Sequence, residues 1–411
     1  TLEYWRLRRG ELIVRPALDA YSSELMAQLE EAVRCRVPRS SALGVQLSGG
    51  LDSSAVVAIA AEQAASAGSK LLAYSWFTGT EDRPKQEESE WSPAQRFADQ
   101  LSIPLYHSDL DPQEILCLLT EHDLSAGDST DLWYEPGLRK LAISQGVSRL
   151  LSGWGGDQVV TNYGSYAYAS EAARGNWRYV LGDFREQVRD ERNPLWRLLA
   201  LLKNQVIRPL VKASAFPGRR VEVPSFLACA REEFKAVAHD LAEVAVPRPG
   251  LSVHADQLFQ FNVGHLQNRL ESWALAGARE GFYYSYPLLD VRLLEFAINI
   301  PEWLYRRRGK GRYLFRHSLS SRLPEEICWG DSKQEPWRVS HGMQMTIQAL
   351  ASWAARQPRE HGNPIIDSSR LHELIGRLQQ ASDFYNERLV LDVMCAVKSV
   401  HVLTMMEQQA A

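Results

Sequence analysis

Two short runs hold most of the residues whose types and spacing could do chemistry. The first, Leu43-Gly44-Val45-Gln46-Leu47-Ser48-Gly49-Gly50-Leu51-Asp52-Ser53-Ser54, reads as a buried strand, a glycine turn and a helix start carrying one acid. Two glycines let the backbone approach an anion, the N–H groups of a first helical turn point at it, and Ser48, Ser53 and Ser54 add hydroxyl donors. That is a phosphate cradle. The charge of Asp52 repels phosphate, so its natural role is to hold a magnesium ion that bridges to phosphate oxygens. An ordinary strand-to-helix turn would tolerate Ser-Gly-Gly as well, so the run alone leaves both readings open. In the second run, Val147-Ser148-Arg149-Leu150-Leu151 reads as a strand and ends in Ser152-Gly153-Trp154-Gly155-Gly156-Asp157-Gln158. Should a fold place the two strands side by side, Asp52 and Asp157 could serve one cation. In isolation, Asp157 reads as a turn residue.

The elements around these runs are those a parallel sheet needs. From 39 to 160 strand and helix alternate: Leu71 to Phe77 and Ile103 to His107 are strands, while Ser53 to Ala67, Ala94 to Leu101 and Pro136 to Gln145 are helices, the first stopped by Gly68. Right-handed crossovers line the strand C-termini along one edge, where both glycine runs fall. An α/β fold follows, a parallel sheet with helices on both faces. From Ser165 to Val263 the chain turns to long helical stretches with Trp177 and Trp196, residue types that usually pack between helices, though a peptide-docking face is the alternative. A mostly helical region runs from Leu266 to Met406.

The first run lacks Gly-Lys-Ser/Thr and Gly-x-Gly-x-x-Gly, which removes support for γ-phosphoryl transfer and hydride chemistry. Ser48-Gly49-Gly50-Leu51-Asp52-Ser53 instead resembles the pyrophosphate loop of the ATP pyrophosphatases. With Ser152 to Asp157 it resembles the asparagine synthetase family, whose synthetase domain carries Ser-Gly-Gly-x-Asp-Ser and later Ser-Gly-Glu-Gly-Ala-Asp-Glu. Tyr286-Pro287-Leu288-Leu289-Asp290, Arg312-Tyr313-Leu314-Phe315-Arg316 and Lys333 extend the resemblance, which spans roughly residues 40 to 400. It implies a PP-loop fold of the adenine-nucleotide α-hydrolase kind, with ATP and Mg²⁺ as cofactors. Adenine would lie near Leu47, Trp76, Ser152 and Gly153, and the phosphates on Ser48, Gly49, Gly50 and Ser53. Asp52 and Asp157 would hold magnesium, and Lys333 with Arg312 would neutralise developing charge. A surface lysine is the plain alternative for Lys333. The chain divides accordingly into an N-terminal linker and helix (1–38, resembling the junction to a glutaminase-like domain), an ATP-pyrophosphatase core (39–164), a helical insertion (165–263) and a helical part completing the site (264–411).

Three departures narrow the expected activity. No N-terminal cysteine nucleophile is present, Trp154 stands where the family has a glutamate thought to handle ammonia, and Gln158 replaces the following glutamate. An indole has one weak donor and no basic site. Ser-Gly-Trp-Gly-Gly-Asp with Lys333-Gln334-Glu335-Pro336-Trp337 resembles the macrolactam synthetases of lasso-peptide biosynthesis. That resemblance implies adenylation of a peptide Asp or Glu side chain, attack by the peptide's own N-terminal amine, and partners in a precursor peptide and a leader peptidase. The alternatives are an ammonia-dependent asparagine synthetase acting on free aspartate and a non-catalytic nucleotide-binding scaffold. Tyr283, Tyr284, Glu280 and Glu271 are candidates for the amine's general base by proximity to Pro287 alone.

Composition bounds the rest. The 411 residues, 45% hydrophobic and 23% charged, can bury a large core. A net charge of -4 offers no general basic surface for nucleic acid. Five scattered cysteines without Cys-x-x-Cys fit buried thiols in a reducing cytoplasm rather than a zinc knuckle or disulfide framework. No run of about 18 apolar residues suggests a membrane span, and neither membrane nor nucleic acid is expected as a partner.

Overall fold

The computed structural model of the chain describes residues 5–38, 41–75, 88–107, 112–120, 135–215, 229–235, 251–330, 341–357, 365–380 and 387–410. Its centre is a five-stranded parallel sheet of β1 (Leu43–Gln46), β2 (Leu71–Ser75), β3 (Leu105–His107), β4 (Arg149–Leu151) and β5 (Tyr283–Ser285), in the order β3-β2-β1-β4-β5. β1 is buried at every position, as a central parallel strand between two helical layers must be. It pairs Val45 with Ala73 on one side and with Leu151 on the other.

Helices α1 (Leu18–Arg34), α2 (Leu51–Ala67), α3 (Glu88–Gln100), α4 (Pro112–Thr120) and α5 (Glu135–Ser144) interleave with the first four strands. Side-chain alternation sorts the two faces. Val45, Ala73 and Leu151 enter the larger core with α1, α2 and the later helices Val291–Asn299 and Tyr313–Leu319, whereas Leu72, Tyr74 and Leu150 turn toward Leu138 and Ala142 of α5. The alanine-rich α2 is buried on most of its circumference and stops at Gly68, whose left-handed φ of 66° closes the helix as its composition predicts.

β5 is the element the sequence pattern does not reveal: it comes from the stretch expected to be helical. Only three residues, Tyr283-Tyr284-Ser285, make the strand, too few for alternation to register beside Gly281 and Pro287. They pair with β4, Leu151 opposite Ser285. The strand order runs one way from β1 through β2 to β3 and the other way from β4 to β5, so the chain changes direction between β1 and β4. Loops leaving those two neighbours open a crevice at their C-terminal edge.

Helices outside the sheet form two further cores. Tyr168, Phe184, Leu201 and Val206 gather the helices from Ala167 to Ala215. α4 leaves the sheet to pack, through Ile115 and Leu119, with the helices His341–Arg356, Ser368–Gln380 and Glu387–Ala410. The expectation that Trp177 and Trp196 pack between helices is overturned: they are 44% and 75% exposed. The first of these cores also braces a hairpin, β6 (Arg306–Arg307) and β7 (Lys310–Gly311). The backbone N–H groups of Arg308 and Gly309 at its turn donate to Asp183 Oδ1 (2.6 Å) and the Tyr168 hydroxyl (3.3 Å).

Candidate active site

The first glycine loop begins where β1 ends. Leu47 is fully buried and its N–H donates to the Tyr74 carbonyl, which extends the sheet by one residue before the chain turns out. Gly49 takes that turn at φ 74°, a conformation glycine adopts without penalty. Ser48 and Ser53 close the loop on themselves: their hydroxyls lie 2.9 Å apart, Ser53 Oγ also accepts from the Ser48 N–H at 3.2 Å, and it lies 3.2 Å from the Gly50 carbonyl. No side chain caps α2 after Gly50, so its first-turn N–H groups remain available as anion donors.

The second loop is wedged against the first. A Cβ on Gly153 would stand 2.6 Å from both the Asp52 carbonyl carbon and the Ser53 nitrogen, closer than side chains pack. Only glycine lets the two backbones meet there. Gly155 and Gly156 in turn touch Leu289 and Leu288, where a Cβ would come within 2.7 and 2.6 Å, so the Pro287 motif presses the second loop into place. Ser152 is fully buried: its N–H donates to the Ser285 carbonyl of β5, and its hydroxyl donates to Gln46 Oε1 while accepting from the Trp154 N–H.

Asp52 projects from the first turn of α2 into a pairing with Arg312, whose Nη1 lies 3.2 Å from Oδ2. Its other oxygen, Oδ1, is buried and makes no well-formed hydrogen bond among the described residues, although the Thr161 hydroxyl interacts with the carboxylate. Burial raises the Asp52 carboxyl from 3.8 to about 6; Arg312 opposes the shift and the negative charge of Asp157 adds to it. Asp157 is exposed and close enough for its charge to act on Asp52. A buried carboxylate oxygen without a well-formed hydrogen bond, with a second carboxylate nearby, matches the hard oxygen donors that Mg²⁺ takes.

The tertiary fold, not a local motif, delivers Arg312. It follows β7 directly, in a left-handed conformation at φ 58° that starts the helix Tyr313–Leu319. Arg316, one turn on, is buried and donates to the carbonyls of Gly311, Cys328 and Gly330. Burial and the neighbouring Arg312 push its guanidinium below its ordinary value. It thus ties the base of the Arg312 turn to the last described residue before 331–340. Trp76 and Lys333 lie outside the described residues.

Trp154 forms one wall of an aromatic enclosure that the residue pattern did not disclose. Its ring lies 5.8 Å from His265 and 5.9 Å from Tyr286, and the Arg269 guanidinium sits between Trp154 and Trp273, 4.6 Å from each ring. The Tyr286 hydroxyl is buried without a hydrogen-bond partner among the described residues, and burial raises its pKa far above the ordinary phenol value. Beside it, Gln46, Glu135, Tyr284 and Arg139 form a polar chain under the sheet: Tyr284 donates to Glu135 Oε2 (2.9 Å) and Gln46 to Glu135 Oε1 (3.2 Å). None of the four general-base candidates is poised for that task. Burial pushes the Tyr284 phenol well up, Glu280 is tied to Arg139 at 2.9 Å, and Tyr283 and Glu271 point to solvent.

Two aspartate-bearing glycine loops thus meet at the switch point of a parallel sheet, where open α/β folds bind their ligands. The asparagine synthase family model matches residues 24–402, and the chain belongs to that family. No curated protein sequence matches it significantly. Membership makes it an ATP-dependent amide-forming ligase, and among the described residues no helix is long and apolar enough to cross a membrane.

Proposed function

We propose that the chain adenylates a carboxyl side chain of a peptide and closes an isopeptide macrolactam on the peptide's own N-terminal amine, as the lasso-peptide macrolactam synthetases do. The observation that carries this reading is the enclosure around Trp154. At the position of the family's ammonia-handling glutamate stands an indole packed on Arg269, His265 and Tyr286. Such a wall would limit water near an activated acyl group, and the indole that replaces the glutamate has no basic site for free ammonia. An amine held on the same molecule needs placement more than basicity, since intramolecular attack reaches effective molarities of about 10⁵ M or more.

The substrate carboxylate attacks the α-phosphorus of ATP and pyrophosphate leaves; the amine then attacks the acyl carbon and AMP leaves. Adenine would lie near Leu47, Trp76, Ser152 and Gly153, as the family resemblance implies. Ser48, Gly49, Gly50 and Ser53, with the α2 N-terminus, hold the phosphates. Asp52 Oδ1 and Asp157 would hold magnesium, which when bound neutralises the leaving pyrophosphate. Arg312 and Lys333 oppose the negative charge that grows on the transferring phosphorus and on the tetrahedral oxyanion. The peptide arrives with its N-terminus freed by a leader peptidase, and use of ATP places the reaction in the cytoplasm.

The test incubates the chain with ATP and magnesium, adding either a leader-free precursor peptide or aspartate with ammonium, with and without the peptidase. AMP release together with loss of one water from the peptide is the expected result. AMP formed with aspartate and ammonium would make it an ammonia-dependent asparagine synthetase instead, and no AMP under any condition would leave a nucleotide-binding scaffold.

A further inference from the structure

The helical run from Pro194 to Ala215 has one face inside the protein and another in water. It consists of the helix Pro194–Leu202, a π turn Lys203–Ile207 and the helix Arg208–Ala215. Leu201 and Val206 bury themselves against Tyr168 and Phe184. Leu195, Trp196, Leu199, Ile207 and Val211 point outward, each between 50% and 75% exposed. Four of them fall at 195, 199, 207 and 211, in steps of four or eight residues. On an unbroken α-helix each step of four drifts about 40° around the axis. The wider π turn between them rotates less per residue and takes back part of that drift, so both halves present one continuous stripe.

Charge accompanies the stripe. From Arg192 to Lys212 the sequence holds Arg192, Arg197, Lys203, Arg208 and Lys212 and no acidic residue, in a chain whose net charge is -4. Arg192, Lys203 and Arg208 are exposed, and Arg197 makes only a loose 3.7 Å pairing with Glu191. An exposed apolar stripe with tryptophan, accompanied by five cations and with Glu191 as the anion paired to one of them, has the composition of helices that lie in the headgroup layer of a bilayer. A protein partner would need an acidic groove shaped to a whole helix. An anionic lipid surface needs only negative charge and acyl chains.

We propose that this face docks reversibly on anionic membrane lipid, with the helix axis in the membrane plane and the remainder of the chain in water. The inference departs from the expectation of no membrane partner and is independent of the reaction proposed above.

Flotation of the full chain with vesicles tests it. One vesicle set is phosphatidylcholine alone and the other equal parts phosphatidylcholine and phosphatidylglycerol. The chain is expected to float with the second set only, and the bound fraction to fall roughly tenfold at high salt. The double variant W196E/L199E should lose binding by tenfold or more while keeping the parent's circular dichroism and melting temperature. Should it fail to fold, K203E/R208E, which leaves the apolar stripe intact, should weaken flotation comparably. No flotation with anionic vesicles, or flotation unchanged in both variants, overturns the proposal. So does a chain that light scattering shows to be a dimer, with W196E/L199E a monomer and neither binding vesicles, since the face would then be a protein interface.

Discussion

The two glycine loops look alike on paper and do opposite work. The first bonds Ser48 and Ser53 to each other but leaves other polar groups over: among the described residues α2 starts without a side-chain cap and Asp52 Oδ1 is buried without a well-formed hydrogen bond. In the second, Ser152 is committed on both its hydroxyl and its N–H, and Gly153, Gly155 and Gly156 are spent on close contacts with Asp52, Leu289 and Leu288. One loop is shaped to receive a ligand; the other is a wedge that holds the first in shape and carries Asp157 and Trp154 to the crevice. Similar motifs at adjacent strand ends thus differ in how much of their hydrogen-bonding capacity is left for a ligand. What distinguishes them is whether their hydrogen-bonding groups are already satisfied within the protein.

The sharpest way to break this division is Gly153→Ala. Its φ is not restrictive, so the effect is steric: a methyl inside the Asp52–Ser53 backbone should cost about 1–3 kcal/mol in overpacking. AMP release should also be abolished, as read by thermal melts and nucleotide chromatography. Wild-type turnover would show that the loops can separate freely. Next in size, Asp52→Asn should lower AMP release by about a hundredfold or more. It should also remove a pH dependence. With the folded carboxyl at about 6 against 3.8, the folded state binds the proton more readily than the unfolded chain. The stabilising contribution is therefore fully present below about pH 4 and is lost as pH rises through about 6. Relative to the parent, the variant's stability should rise over that window by at most about 3 kcal/mol, measured by paired melts.

Trp154→Glu probes the wedge's chemical face. A carboxylate beside Arg269 would admit water and bind the guanidinium, so peptide cyclisation should fall about tenfold, whereas Trp154→Phe should stay near the parent. An equal loss in both would make Trp154 a packing residue only. The smallest effect is expected of Ser152→Ala. It should cost about 1 kcal/mol for its hydrogen bonds to Gln46 and Trp154, with turnover nearly unchanged, because that hydroxyl serves the fold and not the ligand.

Much of the sheet was legible because burial writes itself into composition. Leu43 to Leu47 and Val147 to Leu151 are short, mostly apolar stretches that run into glycine turns, and Gly68 marks the end of α2. β5 was not legible, since three residues carry no period, and neither was the exposure of Trp196, since an indole in a helix reads the same whichever way it faces. Within the site, both aspartates and the Ser-Gly-Gly loop could be picked out by type. The partners of Trp154 could not, because His265, Arg269 and Trp273 lie more than a hundred residues away and share no spacing with it.

What the sequence alone determined was the chemistry on offer: a backbone loop able to cradle phosphate, two carboxylates, and no side chain suited to handling ammonia at position 154. Residue types settle that, for they set charge, donors and allowed backbone angles locally. Which groups remain available for a ligand was decided only by the tertiary structure. Strand order made β1 and β4 neighbours, and a braced hairpin set Arg312 against Asp52. Whether a polar atom is satisfied depends on atoms brought together from distant parts of the chain, and no local pattern records them.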